Sequence, residues 1–469
     1  MTALAQLLKK QGRRVSGSDT AEIFFTDSIL KKEKINVYSG FAAKNIPEKT
    51  GVIIHSAAYR PDNNAEMLAA AKKNIPLMSL AEATAEIFNG YKKNIAVCGT
   101  HGKSTTTALL SFVLHQGGVS PTAIIGSAAP QLKGSALLGT SDVMVLEADE
   151  YQNKLALYQP YGVVLNSIEY DHPDYFKNFA AYKKVFSDFI RKVPSDGFVV
   201  ANWSDNNVRG ECKSAKAKII PYVIASVIPT AVGMERGNPP NVPMPMFQGI
   251  ASLPRTSRSA GILAMTGKIA ADYQHFTVYK QKQILGDFKI KLIGEHNVRN
   301  AVAVIAVCLE LNVSVVKIKK ALAQFHGLAR RMETLGSHNG ALFIDDYAHH
   351  PTEIKATLAA ARLKYTNKKI TCVFMPHTFS RTQALFKDFT KSFSDADSVI
   401  ILPIYASARE RRGSVTGRGL AKAISGARYS PSLKACAAYL KKLVGKDDVV
   451  ILTGAGNTFQ VYFYIRANL

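Results

Sequence analysis

Several features that would fix the class of a 469-residue chain early are missing from this one. No apolar run reaches the ~18 residues that a membrane-spanning helix needs, which argues against membrane insertion. The N-terminus carries its charge after a short apolar stretch and has no small-residue cleavage site. Thr2 to Gln11 therefore reads as an amphipathic helix, not a signal peptide. The five cysteines, at 98, 212, 308, 372 and 436, contain no Cys-x-x-Cys pair. An odd, scattered set fits reduced thiols in a cytoplasm and argues against a structural zinc site. Acids are few: 35 Asp and Glu stand against 59 Lys and Arg, a formal charge of +24. The lysines come as dispersed pairs such as Lys9-Lys10 and Lys319-Lys320, not as a basic tail interleaved with aromatics. Nucleic acid is not the expected partner, because anionic nucleotides are enough to account for this charge. The 47% hydrophobic content fits ordinary globular cores, and the length fits about two to four domains.

What is present centres on Asn94 to Thr107. Ile95 to Cys98 is a short apolar run suited to a buried parallel strand. Gly99 and Gly102 let the backbone turn sharply and approach a ligand. Ser104 to Gln116 then reads as a helix with Leu109, Leu110, Val113 and Leu114 on its apolar side. A helix N-terminus presents unpaired N–H groups and a positive dipole end, which favour phosphate. Lys103 adds a charge for the β- and γ-phosphates, and the Ser104 hydroxyl can ligate Mg²⁺. The first glycine of G-x-x-x-x-G-K-[ST] is missing, since position 97 is Val. A plain glycine turn with a solvated lysine is the alternative; its place directly after an apolar strand favours phosphate binding.

Residues 1–88 alternate helix and strand, with strands over Arg14–Asp19 and Val52–Ser56. That pattern predicts a parallel sheet with ligand groups beyond the strand ends, where Ser18, Asp19 and Ser56 lie. Residues 89–325 form a second unit. Asp142 to Glu150 is a strand delivering Glu147, and Gly162 to Ile168 is another, followed by Glu169-Tyr-Asp-His172. Acids and an imidazole at strand ends near a phosphate loop suggest a Mg²⁺ cradle; a solvated strand-end acid or a structural histidine is the plainer reading. Residues 225–268, rich in Pro, Gly, Ser and Met, read as a long mobile insertion without chemistry. A hairpin edge is expected from His275–Tyr279 and Phe288–Leu292. A helix from Gly294 carries Asn297 and Asn300 on one face, as caps or as nucleotide ligands. Residues 326–469 form a third α/β unit with four strands that end in polar or charged residues. Adjacent His349 and His350 point apart, which argues against chelation by that pair.

Taken together, Gly99–Thr107, Glu147–Glu150, Asp171-His172, His296–Asn300, Arg330-Arg331, Asp345–Glu353 and Pro376–Thr382 resemble the ordered motif set of the Mur ligases of peptidoglycan synthesis. The resemblance covers nearly the whole chain. It implies a three-domain α/β architecture: a Rossmann-like N-terminal domain for a UDP-sugar, a central P-loop ATPase domain, and a Rossmann-like C-terminal domain that closes over an amino acid. It further implies ATP and Mg²⁺, with UDP-N-acetylmuramate and L-alanine as substrates joined through an acyl phosphate, in a cytoplasmic monomer or weak homodimer. By position, Gly99, Thr100, His101, Gly102, Lys103, Ser104 and Thr105 would hold ATP, with Asn297, Arg331 and Asp346. Ser104 and Glu147 would bind one Mg²⁺ and His172 a second. Lys103, Glu147, His172 and Arg381 would carry catalysis. His101 would face the muramyl group, while Tyr347, His350, His377 and Arg381 would shape the amino-acid site, with Arg381 on its carboxylate. Some relatives carry a carbamylated lysine near the metals; Lys183 is the candidate here, against a plain helix-surface lysine.

Two departures stand out. The chain opens inside its first helix, without the strand and glycine-rich loop whose amides would sit on the UDP diphosphate, so the UDP-sugar site is expected to be damaged unless the start is misplaced. Thr378 stands where the family has arginine. Three alternatives remain beside the alanine-adding reading: a recycling ligase that attaches a tripeptide, a truncated ATP-binding protein without activity, and an RNA-binding protein motivated by charge alone.

Overall fold

The computed structural model describes residues 1–22, 24, 26–226, 261–270, 272–280, 283–406, 410 and 412–467. Helix α1 (Thr2–Lys10) opens the chain, followed by β1 (Ser16–Asp19), α2 (Asp27–Lys32), β2 (Asn36–Ser39), β3 (Ile53–His55), α3 (Ala65–Lys72), β4 (Leu77–Ser79) and α4 (Leu80–Asn89). The alternation expected for residues 1–88 is there, but the described strands form two separate parallel pairs, β1–β2 and β3–β4, not one sheet. α1 turns its apolar side, Leu4 and Leu7, into the core of the middle unit. Buried Gln6 completes that docking: its Oε1 accepts from Ser135 and Ala136 N–H at 2.9 and 3.0 Å. The side chain thereby satisfies backbone donors that an edge strand otherwise leaves to solvent.

The middle unit is a sheet of ten described strands: β5 (Lys93–Cys98), β6 (Thr122–Ala129), β7 (Gly134–Leu137), β8 (Val143–Glu147), β9 (Gly162–Leu165), β10 (Phe198–Asn202), β11 (Lys218–Ser226), β12 (Ile262–Ala270), β13 (Tyr273–Lys280) and β14 (Gln283–Ile290). Its order is β14-β13-β12-β11-β10-β9-β5-β8-β6-β7. β5, the strand of the phosphate-loop motif, lies between β8 and β9, parallel to both. One sheet face carries α5 (Lys103–Gln116) and the Glu295–Glu310 helix; the other carries α1, α4 and α6 (Phe179–Ile190). α5 is buried all round from Thr105 to Leu114, which explains why its sequence shows an apolar run with little amphipathic contrast.

The expected hairpin is β13–β14, antiparallel, with β14 at the sheet edge. The insertion reading needs correction at its ends: 225–226 belong to β11 and 262–268 to β12, which pair in parallel, Tyr222 opposite Ile262. The remainder, 227–260, lies outside the described residues. The C-terminal unit has β15 (Glu333–His338), β16 (Ala341–Asp346), β17 (Lys369–Phe374), β18 (Ser398–Ile401), β19 (Arg428–Tyr429) and β20 (Asp448–Thr453) in the order β15-β16-β20-β17-β18-β19, parallel except β15. Among the described residues no helix is long and apolar enough to cross a membrane.

Candidate active site

The turn after β5 is built by backbone geometry. Gly99 sits at φ +121° and Gly102 at φ +78°. A Cβ on Gly99 would meet Ser167 O at 2.8 Å, and one on Gly102 would meet Asn300 Oδ1 at 2.6 Å. Both positions thus exclude side chains for space as well as for backbone angle. Thr100 N–H donates to Ser167 O (2.9 Å) and His101 N–H to Ser167 Oγ (3.0 Å), tying the turn to the end of β9. α5 starts at Lys103 with no side-chain cap, so its first N–H groups are left for a ligand.

Lys103 is not the solvated lysine of the plainer reading. It is mostly buried, and its Nζ donates to Glu150 Oε2 (2.9 Å) and to the carbonyls of Gly99 and Thr100. Burial opposes its charge, but Glu150, Asp149 and Glu147 outweigh burial and raise its pKa. Tyr182 holds the other oxygen of Glu150 at 2.9 Å. Ser104 Oγ donates to Glu147 Oε1 (2.8 Å), and Gly126 N–H to Glu147 Oε2 (2.6 Å). Desolvation raises the Glu147 pKa, with those two hydrogen bonds pulling against it.

His172 does not gather with Ser104 and Glu147. It groups with Asp149 and Glu150, each offering a ligand atom within 4.8 Å of the others. The donors are hard oxygens plus an imidazole, and the desolvated Glu147 and the buried Glu150 are acids whose charge a divalent ion would stabilise, so these residues fit Mg²⁺. Lys183 stands apart from them: its Nζ is 3.7 Å from Glu211 and lies over the Phe179 ring, the pattern of a helix-surface lysine.

His101 bridges two units. Its Nε2 is 2.9 Å from Glu169 Oε2 in the middle unit, and its Nδ1 is 3.3 Å from Glu353 Oε1 in the C-terminal unit. Burial opposes protonation, but the two carboxylates win and raise its pKa to about 9. Glu353 also accepts from the N–H groups of His349 and His350, the latter closing the capping box of the Pro351–Lys364 helix. His350 packs its ring 4.7 Å from that of His101 and accepts from Thr352 N–H through Nδ1; its buried Nε2 has no protein partner. Burial lowers its pKa and keeps it neutral. His349 instead turns its Nδ1 to Tyr347 O, so the two histidines do point apart.

A cleft of about 1000 Å³ opens between the middle and C-terminal units. Its lining includes His101, Gly102, Thr105, Asn297, Arg331 and Asp346, six of the expected nucleotide residues. Asn297 is both a structural group and a cleft residue: its Nδ2 donates to Ile293 O at 3.0 Å. Asp346 accepts from Met332 N, Ala348 N and Thr357 Oγ1, and burial raises its pKa. Arg331 lies over the Tyr347 ring, 5.5 Å from its centroid. His296, also in the cleft, is held neutral, pushed down to about 4 by burial and then by Arg299 and Arg331.

Arg381 is engaged differently from expectation. Its guanidinium grips Asp171 in two places and donates to His377 O. His377, whose pKa burial lowers to about 3, packs near His349 and Tyr405. Tyr405 in turn donates to Glu22 of the N-terminal unit at 2.7 Å. Ser18, Asp19 and Ser56 are not in the cleft lining. Ser18 donates to Glu66 (2.6 Å), Asp19 lines a separate hollow of about 470 Å³ with Glu22 and Tyr38, and Ser56 Oγ accepts from Ala58 N–H. The sequence reading places Glu150, Glu169, Asp171 and Glu353 within motifs but gives none of them a partner, and it does not single out Tyr182. Four were visible as acids at strand ends or at the third position of a helix, but their partners lie up to 252 residues away.

Three family models match the chain: "Mur ligase family, catalytic domain" over residues 1–92, "Mur ligase middle domain" over 97–231 and "Mur ligase, glutamate ligase domain" over 330–456. A UDP-N-acetylmuramate–L-alanine ligase of Desulfitobacterium hafniense is 36% identical over 467 residues, 98% of this chain and 96% of that protein. One of Clostridium acetobutylicum is 35% identical over 466 residues, 98% and 94% of the two chains. Among solved structures, a UDP-N-acetylmuramate-alanine ligase of Thermotoga maritima superposes with a TM-score of 0.77 at 23% identity, covering 100% of this chain and 96% of that one. A murein peptide ligase of Psychrobacter arcticus gives 0.70 at 22%, with the same coverage. At those identities the two structures speak for the fold.

Proposed function

The chain belongs to the Mur ligase family, and from that premise we propose that it joins L-alanine to the lactyl carboxylate of UDP-N-acetylmuramate with cleavage of ATP, in peptidoglycan precursor synthesis. A carboxylate is a poor electrophile. Transfer of the γ-phosphoryl group to its oxygen releases ADP and leaves an acyl phosphate. The alanine amine then attacks the acyl carbon, the amide forms, and phosphate leaves. The task of the protein is positioning and charge neutralisation.

The observation that carries the reading is the uncapped start of α5, where Lys103 is the first residue and Gly102 and Thr105 line a cleft between two domains. Phosphates entering there would meet the N–H groups of the turn and the Lys103 ammonium. Ser104 and Glu147 would hold one Mg²⁺, and His172 with Asp149 and Glu150 a second; the ion adds positive charge against the phosphates. Asn297, Arg331 and Asp346 line the nucleotide side. Tyr347, His350, His377 and Arg381, which lie outside that cleft's lining, would bound the amino-acid side. Five free, buried cysteines support a cytoplasmic setting.

The test is product identity. Supplied with ATP, Mg²⁺ and UDP-N-acetylmuramate, plus L-alanine and L-alanyl-γ-D-glutamyl-diaminopimelate in equal amounts, the chain should form the alanyl product by mass spectrometry. Preferential tripeptide addition would overturn the reading in favour of a recycling ligase.

A further inference from the structure

We propose that Asp171 is a positioning residue that couples domain closure to the amino-acid site, orienting Arg381 from across the domain boundary while fixing the turn that carries His172. The inference rests on the ligase reading. Asp171 follows β9 in the middle domain, and Arg381 sits on the short Phe379–Ala384 helix of the C-terminal domain, 210 residues away. Arg381 Nε donates to Asp171 Oδ1 at 2.8 Å and Nη2 to Oδ2 at 3.2 Å. This is the two-pronged geometry that fixes a guanidinium plane. Both side chains are buried, each at 7% exposure, so this is not one of the exposed ion pairs that hold nothing in place.

The same carboxylate has a second duty. Asp171 Oδ1 accepts from His172 N–H at 2.7 Å, and His172 sits at φ +56°, a left-handed conformation that side chains other than glycine rarely adopt. His172 Nε2 stands 3.9 Å from Glu150 Oε1 and 3.8 Å from Asp171 Oδ2. One acid therefore touches both the residue expected to hold an ion and the residue expected to hold the amino acid. Arg381 remains tied to the amino-acid side through Nη1, which donates to His377 O at 2.9 Å and lies 3.3 Å from His377 Nδ1. A guanidinium has five N–H groups, so the grip on Asp171 leaves donors for the carboxylate of an incoming amino acid. An open domain would carry Arg381 away from Asp171, and closure would deliver it already oriented.

The test compares Asp171→Asn, Asp171→Glu and Arg381→Lys with the wild-type chain. Asp171→Asn should raise KM for L-alanine tenfold or more while KM for ATP stays within about twofold, and Asp171→Glu should recover part of the loss. The double variant Asp171→Asn/Arg381→Lys should be no worse than the weaker single variant, because both break one unit. An unchanged alanine KM, multiplying effects in the double variant, or parallel losses of ATP and alanine affinity with a lowered Tm would each overturn the role. Small-angle scattering supplies a readout that needs no turnover. The Asp171→Asn chain should be measurably more extended than wild type, and identical profiles would refute the closure role. A wild-type chain without alanine-dependent turnover would count against the ligase reading alone, leaving scattering to decide on Asp171.

Discussion

His101 shows how much one ring carries at this site. It sits in the phosphate-loop turn, yet its two nitrogens are engaged by carboxylates of two different domains. With its pKa raised from 6.5 to about 9, the imidazolium stabilises the folded, closed chain fully below pH 6.5 and loses that effect as pH rises through 9. The stabilisation at stake is on the order of 3 kcal/mol. Its partner Glu169, lowered to about 2 against the opposing effect of burial, adds stability above pH 4.5 that is lost as pH falls towards 2. Unfolding midpoints measured from pH 6 to 10 should therefore fall more steeply for the wild-type chain than for His101→Asn. Parallel curves would remove His101 from the interface. At this scale the sequence disclosed identities but not partnerships. Lys103 and Ser104 stand out in the sequence through motif spacing and Glu147 through its place at a strand end, whereas His172 gains its expected role only from the family resemblance. Glu150 as the mate of Lys103, Asp171 as the mate of Arg381 and Glu353 as the mate of His101 were not legible, since nothing local encodes contacts that only the fold creates.

The turn from β5 into α5 is the element on which the site depends, and its shape requires glycine at two points. At Gly102, with φ +78°, an added Cβ would lie 2.6 Å from Asn300 Oδ1 on the helix that packs against α5. Gly102→Ala should cost ~1–3 kcal/mol of stability from backbone strain alone. It should also raise KM for ATP, because the loop must move away from the phosphates. Calorimetry together with ATP kinetics checks both; an alanine variant with native Tm and native ATP affinity would mean that the turn has slack. Elements with a clear period or a bounded apolar run were readable, which is why β5, β8 and β9 fall close to expectation. β12 was not, because the composition around it is dominated by Pro, Gly, Ser and Met; its parallel pairing with β11 across a long sequence separation and its antiparallel pairing with the adjacent β13 override weak local preference. The two-pair arrangement of β1–β4 escaped the sequence reading for a similar reason: alternation indicates parallel pairing but not which strands meet.

Across the whole molecule, the C-terminal unit meets the other two through polar contacts, whereas α1 docks on the middle unit through apolar Leu4 and Leu7. Arg381 grips Asp171, Glu353 and Glu169 share His101, Thr352 donates to Glu169 at 2.7 Å, and Tyr405 reaches Glu22. A boundary of this kind is more easily opened than an apolar one, as suits domains that must part for substrate entry and product release. Under the proposed reading, the nucleotide would occupy a turn within the middle domain, and the amino-acid site would be assembled only when the C-terminal domain is in place. ADP release by the purified chain, with ATP, Mg²⁺ and UDP-N-acetylmuramate, in the presence and absence of L-alanine, tests this account most directly. Release that depends on both the nucleotide sugar and alanine is the predicted result; release indifferent to alanine, or none at all, would contradict it.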